Sequence, residues 1–119
     1  MVSIATVNVN GIRAAYRRGM QAWVDEHDPD VVLLQEVRAN DEIVHNLVGD
    51  QWHVVHSEAP QKGRAGVAIL TKEEPQQVRI GLPGEAEASG GRWVEVDYTT
   101  QAGNTVTIAS VYVHTGVAD

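Results

Sequence analysis

Two polar side chains end apolar runs early in the chain. Asn8 follows Val2-Ser3-Ile4-Ala5-Thr6-Val7, and Glu36 follows Val31-Val32-Leu33-Leu34-Gln35. An amide oxygen and a carboxylate are both hard oxygen donors. Such a pair suits Mg²⁺, which takes only one or two carboxylates and keeps its other positions for water or phosphate oxygens. Each residue also has a plainer use, Asn8 as a turn former before Asn10-Gly11 and Glu36 as a solvated residue at a helix start. Tyr112, in Val111-Tyr112-Val113, carries a phenol suited either to a phosphate or to a half-buried core position. Lys62-Gly63-Arg64 is a basic loop tip, fit to contact a phosphodiester backbone or to stand in solvent.

The remaining reactive types give less. His53 and His56 are three apart on a strand, so they face opposite sides and do not easily share a metal. His27 reads as a helix-end residue and His45 as surface. His114 falls on the face of Tyr112 and is open between site and surface. There is no cysteine, which excludes a disulfide scaffold, a cysteine-ligated zinc and a cysteine nucleophile. Neither the Walker pattern nor Gly-x-Gly-x-x-Gly is present.

These residues need elements to hold them. Residues 2–9 read as a strand, small or apolar on both faces and hence expected to be buried on both. Asn10-Gly11 is a turn. A helix is expected within residues 12–27, with Met20, Trp23, Val24 and His27 on one face, stopped by Asp28-Pro29-Asp30. Residues 31–34 form a continuous apolar strand. Strand, helix, strand is a βαβ unit with two parallel strands. Asn8 and Glu36 then lie at one sheet edge, the carboxyl end where open α/β sheets bind ligands. A short helix over 41–48 follows, then strands at 52–56, 67–71, near 76–80, 93–98 and 105–114, with loops at 60–66 and 81–91. In the strand at 93–98, Val94, Val96 and Tyr98 share one face, Glu95 and Asp97 the other.

The 119 residues make one globular domain, large enough to bury a core. No apolar run approaches 18 residues, so no membrane span is expected. The N-terminus lacks a basic region before an apolar stretch, so no signal peptide is expected and a cytosolic (cytoplasmic) protein is the default. The net charge of -7 argues against a protein that coats nucleic acid non-specifically, though not against a local phosphate site. Charge is uneven: residues 1–24 hold Arg13, Arg17 and Arg18 with no acid, and 25–50 hold eight acids against Arg38.

Four segments together carry a resemblance. Asn8-Val9-Asn10-Gly11-Ile12-Arg13-Ala14, Asp28-Pro29-Asp30-Val31-Val32-Leu33-Leu34-Gln35-Glu36, Gly63-Arg64-Ala65-Gly66-Val67-Ala68-Ile69-Leu70 and Val111-Tyr112-Val113 look, in that order, like the exonuclease III family. Its members are Mg²⁺-dependent AP endonucleases and 3′→5′ exonucleases of the endonuclease/exonuclease/phosphatase superfamily. The resemblance implies an α/β fold, the N-terminal half of a four-layered α/β sandwich, in which a βαβ unit is followed by mostly antiparallel strands. It implies Mg²⁺, with Mn²⁺ as a substitute, held by Asn8 and Glu36, and Tyr112 near the attacked phosphate. Asn10, Arg13 and Arg38 are implied neighbours of the site or DNA contacts, joined by Lys62 and Arg64. The family usually has Lys two residues after the Glu. Arg38 keeps the charge there and changes its geometry.

The resemblance also implies what is missing. The family domain is much longer, and its Gly-Asp-x-Asn and Ser-Asp-His segments are absent; Gly49-Asp50 leads to Gln51-Trp52. The expectation is a truncated member, residues 1–119 being the N-terminal part of the domain. It is expected to be inactive alone, to need its C-terminal half in cis or in trans, and to act on double-stranded DNA with an abasic site or a 3′ end. A half sandwich is expected to expose an apolar sheet face. The alternatives are a non-catalytic interaction or split-protein module, and a superfamily phosphoesterase acting on a lipid or inositol phosphoester rather than DNA.

Overall fold

A computed structural model describes residues 2–61, 63–85 and 90–113. Strand β1 (Ile4–Asn8) pairs in parallel with β2 (Val31–Gln35), in a register that puts Asn8 beside Gln35. The chain between them forms two helices rather than one. α1 (Ile12–Arg17) and α2 (Met20–His27) are separated at Gly19, whose φ of 104° breaks the helical path. The expected apolar face of α2 is narrower than its spacing suggested. Met20 and Val24 are buried, whereas Trp23 and His27 stack on each other at the exposed surface, with ring centroids 4.4 Å apart.

Helix α3 (Asp41–Val48) starts on Asn40, whose side chain accepts a hydrogen bond from the Ile43 amide. Strands β3 (His53–Ser57) and β4 (Val67–Thr71) then complete the first sheet, in the order β1-β2-β4-β3. β4 runs antiparallel to both neighbours and is buried at all five positions. A second antiparallel sheet is built from β5 (Gln77–Ile80), β6 (Trp93–Thr99) and β7 (Thr105–Val111). β7 ends before Tyr112, and His114 lies outside the described residues, as does Lys62.

Two cores make this three layers. Ile12, Met20, Val24, Val44 and Val48 of the helices meet Val32, Leu34, Ala68 and Leu70 on one face of the first sheet. Val31, Val55, Val67 and Ile69 on its other face meet Val94, Val96, Tyr98 and Ile108 of the second sheet. Alternation along β6 thus does what its pattern required.

Two expectations change here. β1 is not buried on both faces: it lies at the edge of its sheet and Ile4 is 48% exposed. Nor is a broad apolar sheet face left open among the described residues, because the two sheets cover each other. The outer face of the second sheet is polar: Arg79 binds Asp97 with two nitrogens and Glu95 with a third, and Thr107 donates to Asp97. These bonds hold the Asp97 carboxyl down at about 2. The exposed large apolar side chains of the second sheet are Val78 and Ile80 of β5 and, at the opposite edge, Val106 of β7.

Candidate active site

The parallel register brings the carboxyl ends of β1 and β2 together, and backbone hydrogen bonds then stitch the loops that leave them. Val9, Gly11 and Ile12 donate to the carbonyls of Gln35, Glu36 and Val37 at 3.0, 2.8 and 2.9 Å. Val37 and Arg38 donate in turn to Gly66 and Ala65, both at 2.9 Å. Gly66 donates to Gly91, and Tyr112 to Arg92, again at 2.9 Å. One sheet edge therefore gathers five separate stretches of chain.

The backbone at this edge is unusual. Among the described residues, five other than glycine have positive φ, and four are here: Asn10 at 47°, Glu36 at 51°, Arg38 at 53° and Ala65 at 47°. Each such residue costs on the order of 1 kcal/mol or more and persists only where the surroundings fix it. The stitching fixes them. Gly91 is required by contact as well as by its φ of 75°: a Cβ there would lie 2.5 Å from the Ala59 Cα.

The side chains converge accordingly. Asn8 Nδ2 donates to Glu36 Oε1 at 3.0 Å, and Asn8 Oδ1 accepts from the Asn10 amide at 3.0 Å. Arg38 donates to Glu36 Oε2 at 2.7 Å. Arg13 reaches the Arg38 carbonyl at 3.4 Å. Beside this cluster opens a groove of about 650 Å³, lined by Arg38, Pro60, Gln61, Arg64, Arg92 and Tyr112. Of the residues singled out from sequence, Asn8, Asn10, Arg13, Glu36 and Arg38 form one connected cluster. Tyr112 and Arg64 border the groove that Arg38 shares. His53 and His45 are exposed, and His56 turns away towards Asp41. The groove residues Pro60, Gln61 and Arg92 went unnoticed in the sequence. Arg92 lies just past a glycine-rich stretch that reads only as loop.

The donor set fits a hard divalent cation. Among the described residues no three of His, Cys, Asp and Glu converge, and Glu36 is the carboxylate of this cluster. Glu36 is largely withdrawn from solvent, its side chain 18% exposed. Each of its oxygens accepts one hydrogen bond and keeps a second lone pair. An ion of the Mg²⁺ type, content with one carboxylate and otherwise water or phosphate, matches this better than Zn²⁺, which wants several nitrogen or sulfur ligands.

Comparison with known proteins finds relatives of the chain and of its fold. The chain is 39% identical over 101 residues to exodeoxyribonuclease III of Haemophilus influenzae, covering 81% of this chain and 36% of that protein. It is 35% identical over 92 residues to an exodeoxyribonuclease of Bacillus subtilis, covering 76% and 36%. Its fold matches an AP endonuclease from Archaeoglobus fulgidus with a TM-score of 0.67 and 34% identity, over 90% of this chain and 40% of that one. The chain thus spans little more than a third of the curated relatives it matches. The profile of the endonuclease/exonuclease/phosphatase family matches residues 5–117, nearly the whole chain, and to that family the chain belongs.

Proposed function

We propose that this chain is the metal- and phosphate-holding part of a DNA phosphodiesterase of the exodeoxyribonuclease III type, acting at abasic sites or 3′ ends. The observation that carries the reading is the convergence of Asn8, Glu36 and Arg38 at the lip of the arginine-lined groove that Tyr112 borders. Residues 1–119 then form the N-terminal part of the family domain.

In this reading Glu36 holds Mg²⁺ or Mn²⁺, and Asn8 orients the carboxylate through its amide. The ion, when bound, neutralises charge on a phosphoryl oxygen. Arg38 and Arg64, joined by Lys62, which stands two positions before Arg64 in the sequence, hold the phosphodiester backbone by charge-assisted hydrogen bonds. The Tyr112 phenol donates a hydrogen bond to the attacked phosphate, a contact that gains strength as negative charge develops. Asn10 fixes Asn8 through its amide, and Arg13 steadies the turn at Arg38. The group that activates water is supplied by the remainder of the domain, so the lone chain binds but does not cleave.

The relatives, an exodeoxyribonuclease III and an AP endonuclease among them, favour DNA over a lipid or inositol phosphoester. Among the described residues no helix is long and apolar enough to cross a membrane. The test is incision of an abasic duplex in Mg²⁺. The chain alone should leave it intact, and addition of the matching C-terminal part of a relative should restore incision. A chain that neither binds the duplex nor supports incision with that part would refute the reading.

A further inference from the structure

We infer that Gln35 is a positioning residue, a clamp that locks together the three strands bearing Asn8, Glu36 and Tyr112. The inference rests on those three being site residues, as proposed above. Gln35 Nε2 lies 3.1 Å from Thr6 Oγ1 and 3.2 Å from Ser110 Oγ. Thr6 stands two residues before Asn8 on β1. Gln35 immediately precedes Glu36. Ser110 stands two residues before Tyr112 on β7. A single carboxamide therefore ties β1, β2 and β7 just beneath the site.

The direction of the bond to Ser110 is determined. Ser110 is buried, and its hydroxyl donates to the Leu34 carbonyl at 2.9 Å. Its only proton is spent there, so Ser110 can only accept from Gln35. The two N–H groups of Gln35 have one acceptor each, Thr6 and Ser110, and the exposed Thr6 hydroxyl also lies 3.4 Å from Gln35 Oε1, to which it donates. The Leu34 carbonyl closes the network back onto β2.

This tie spans the two sheets, and that is why it matters. β1 and β2 belong to the first sheet and β7 to the second. Between them the apolar contacts of Val31, Ile69, Val94, Val96 and Ile108 are non-directional, and the directional ties include hydrogen bonds of the loop residue Gly91 with Gly66 and Ser57. Apolar packing of this kind tolerates small changes in the angle between sheets. The polar network resists them, because a shift unpairs the buried Ser110 hydroxyl from the part-buried Gln35 amide. Glu36 and Tyr112 come from opposite sheets, so their separation depends on that angle.

The test measures residual dipolar couplings on the full chain and on Gln35→Met and Gln35→Glu. The first removes both donors. The second is nearly isosteric but opposes acceptor to acceptor at Ser110. In the native chain one alignment frame should fit β2, β4, β6 and β7. In both variants each sheet should keep its own frame while the angle between sheets changes or averages. Ser110→Ala should do the same if a Gln35 variant fails to fold, and Ser110→Thr, which keeps the hydroxyl, should restore the native frame. Mn²⁺ then reads the site. It should broaden signals near Glu36 to a similar degree in the native chain and in Gln35→Met, while broadening at Tyr112 changes severalfold in the variant. An unchanged inter-sheet angle and unchanged broadening at Tyr112 would overturn the clamp. Absence of broadening near Glu36 in the native chain would instead overturn the metal reading, leaving the dipolar couplings to decide the clamp.

Discussion

Glu36 and Arg38 are two residues apart, both hold left-handed backbone, and their side chains meet at 2.7 Å. Between them Val37 is fully buried in the helix-side core. The left-handed turns on either side aim both charged groups out over the sheet edge while the middle residue anchors the loop. The carboxylate proposed to hold a cation thus already carries a positive counter-charge, with which a cation would compete.

That competition sets the first prediction. Titration with Mg²⁺ or Mn²⁺ should move the amide signals around Glu36 first, at millimolar metal, and Glu36→Gln should abolish the response. Arg38→Ala removes a like charge and frees one carboxylate oxygen. Since a partly exposed ion pair is worth up to about 1 kcal/mol, affinity should rise by up to about fivefold. Equal or weaker binding in Arg38→Ala would show that the guanidinium does not compete. First responses at His53 would place the metal elsewhere.

Much of this arrangement was legible in the sequence, for physical reasons. β4 was readable to the residue because a run of apolar residues defines it, and α3 was placed as well, although its Asn40 cap was not read. The parallel β1–β2 pair followed from strand, helix and strand, and it placed Asn8 and Glu36 at one edge. The exposure of β1 was not legible, since Ile4 and Val7 look equally apolar and only the layers packed on each face decide which is covered: Val7 lies against the helix-side core and Ile4 is exposed. The break at Gly19 was hidden by apolar spacing that continues across it. The Gln35–Ser110 tie joins positions 75 residues apart. No local pattern announces such a contact.

His56 gives a pH prediction. Its side chain is 1% exposed, Nδ1 lies 3.2 Å from Asp41 Oδ1, and Nε2 has no partner. Burial pushes its pKa below the ordinary value, against the opposing pull of Asp41 and Glu58; His45 adds to the lowering. As pH falls through the ordinary value of about 6.5, the unfolded chain takes up the proton first. This contribution to stability is therefore complete above that pH and is lost below it. Urea midpoints should fall as pH drops from 7.5 to 5.5, and His56→Gln should flatten that dependence. An identical slope in the variant would assign the effect to other groups.

The β5 edge predicts association. Val78 and Ile80 sit opposite Val96 and Val94, so they continue the inter-sheet core beyond its cover, and they are 45% and 55% exposed. β5 pairs only with β6 among the described residues. An apolar edge of this kind recruits another strand. Sedimentation velocity should show concentration-dependent association, and Val78→Lys with Ile80→Lys should suppress it. A native chain that stays monomeric at every concentration tested would mean that the edge is covered.

The last prediction separates holding a cation from stabilising a phosphate. It uses the chain assembled with a matching C-terminal part and an abasic duplex in Mg²⁺. Glu36→Ala removes the only carboxylate of the described cluster, so it should lower both incision and metal affinity, and excess metal should restore part of the rate. Tyr112→Phe removes one phenolic hydroxyl at the groove wall and leaves Glu36 with its Asn8 and Arg38 partners. Metal affinity should therefore stay the same. The loss should fall on kcat, by about 10²–10³ if the phenol donates to the charge that develops on the phosphoryl oxygens. Excess metal should not rescue it. A Tyr112→Phe chain with native kcat would make the tyrosine a packing residue of the inter-sheet core, which it also touches. A loss that metal repairs would mean that the phenol acts through the cation instead. Incision by the lone chain, abolished by Glu36→Ala, would show that the water-activating group lies within these 119 residues and that the division of labour proposed here is wrong.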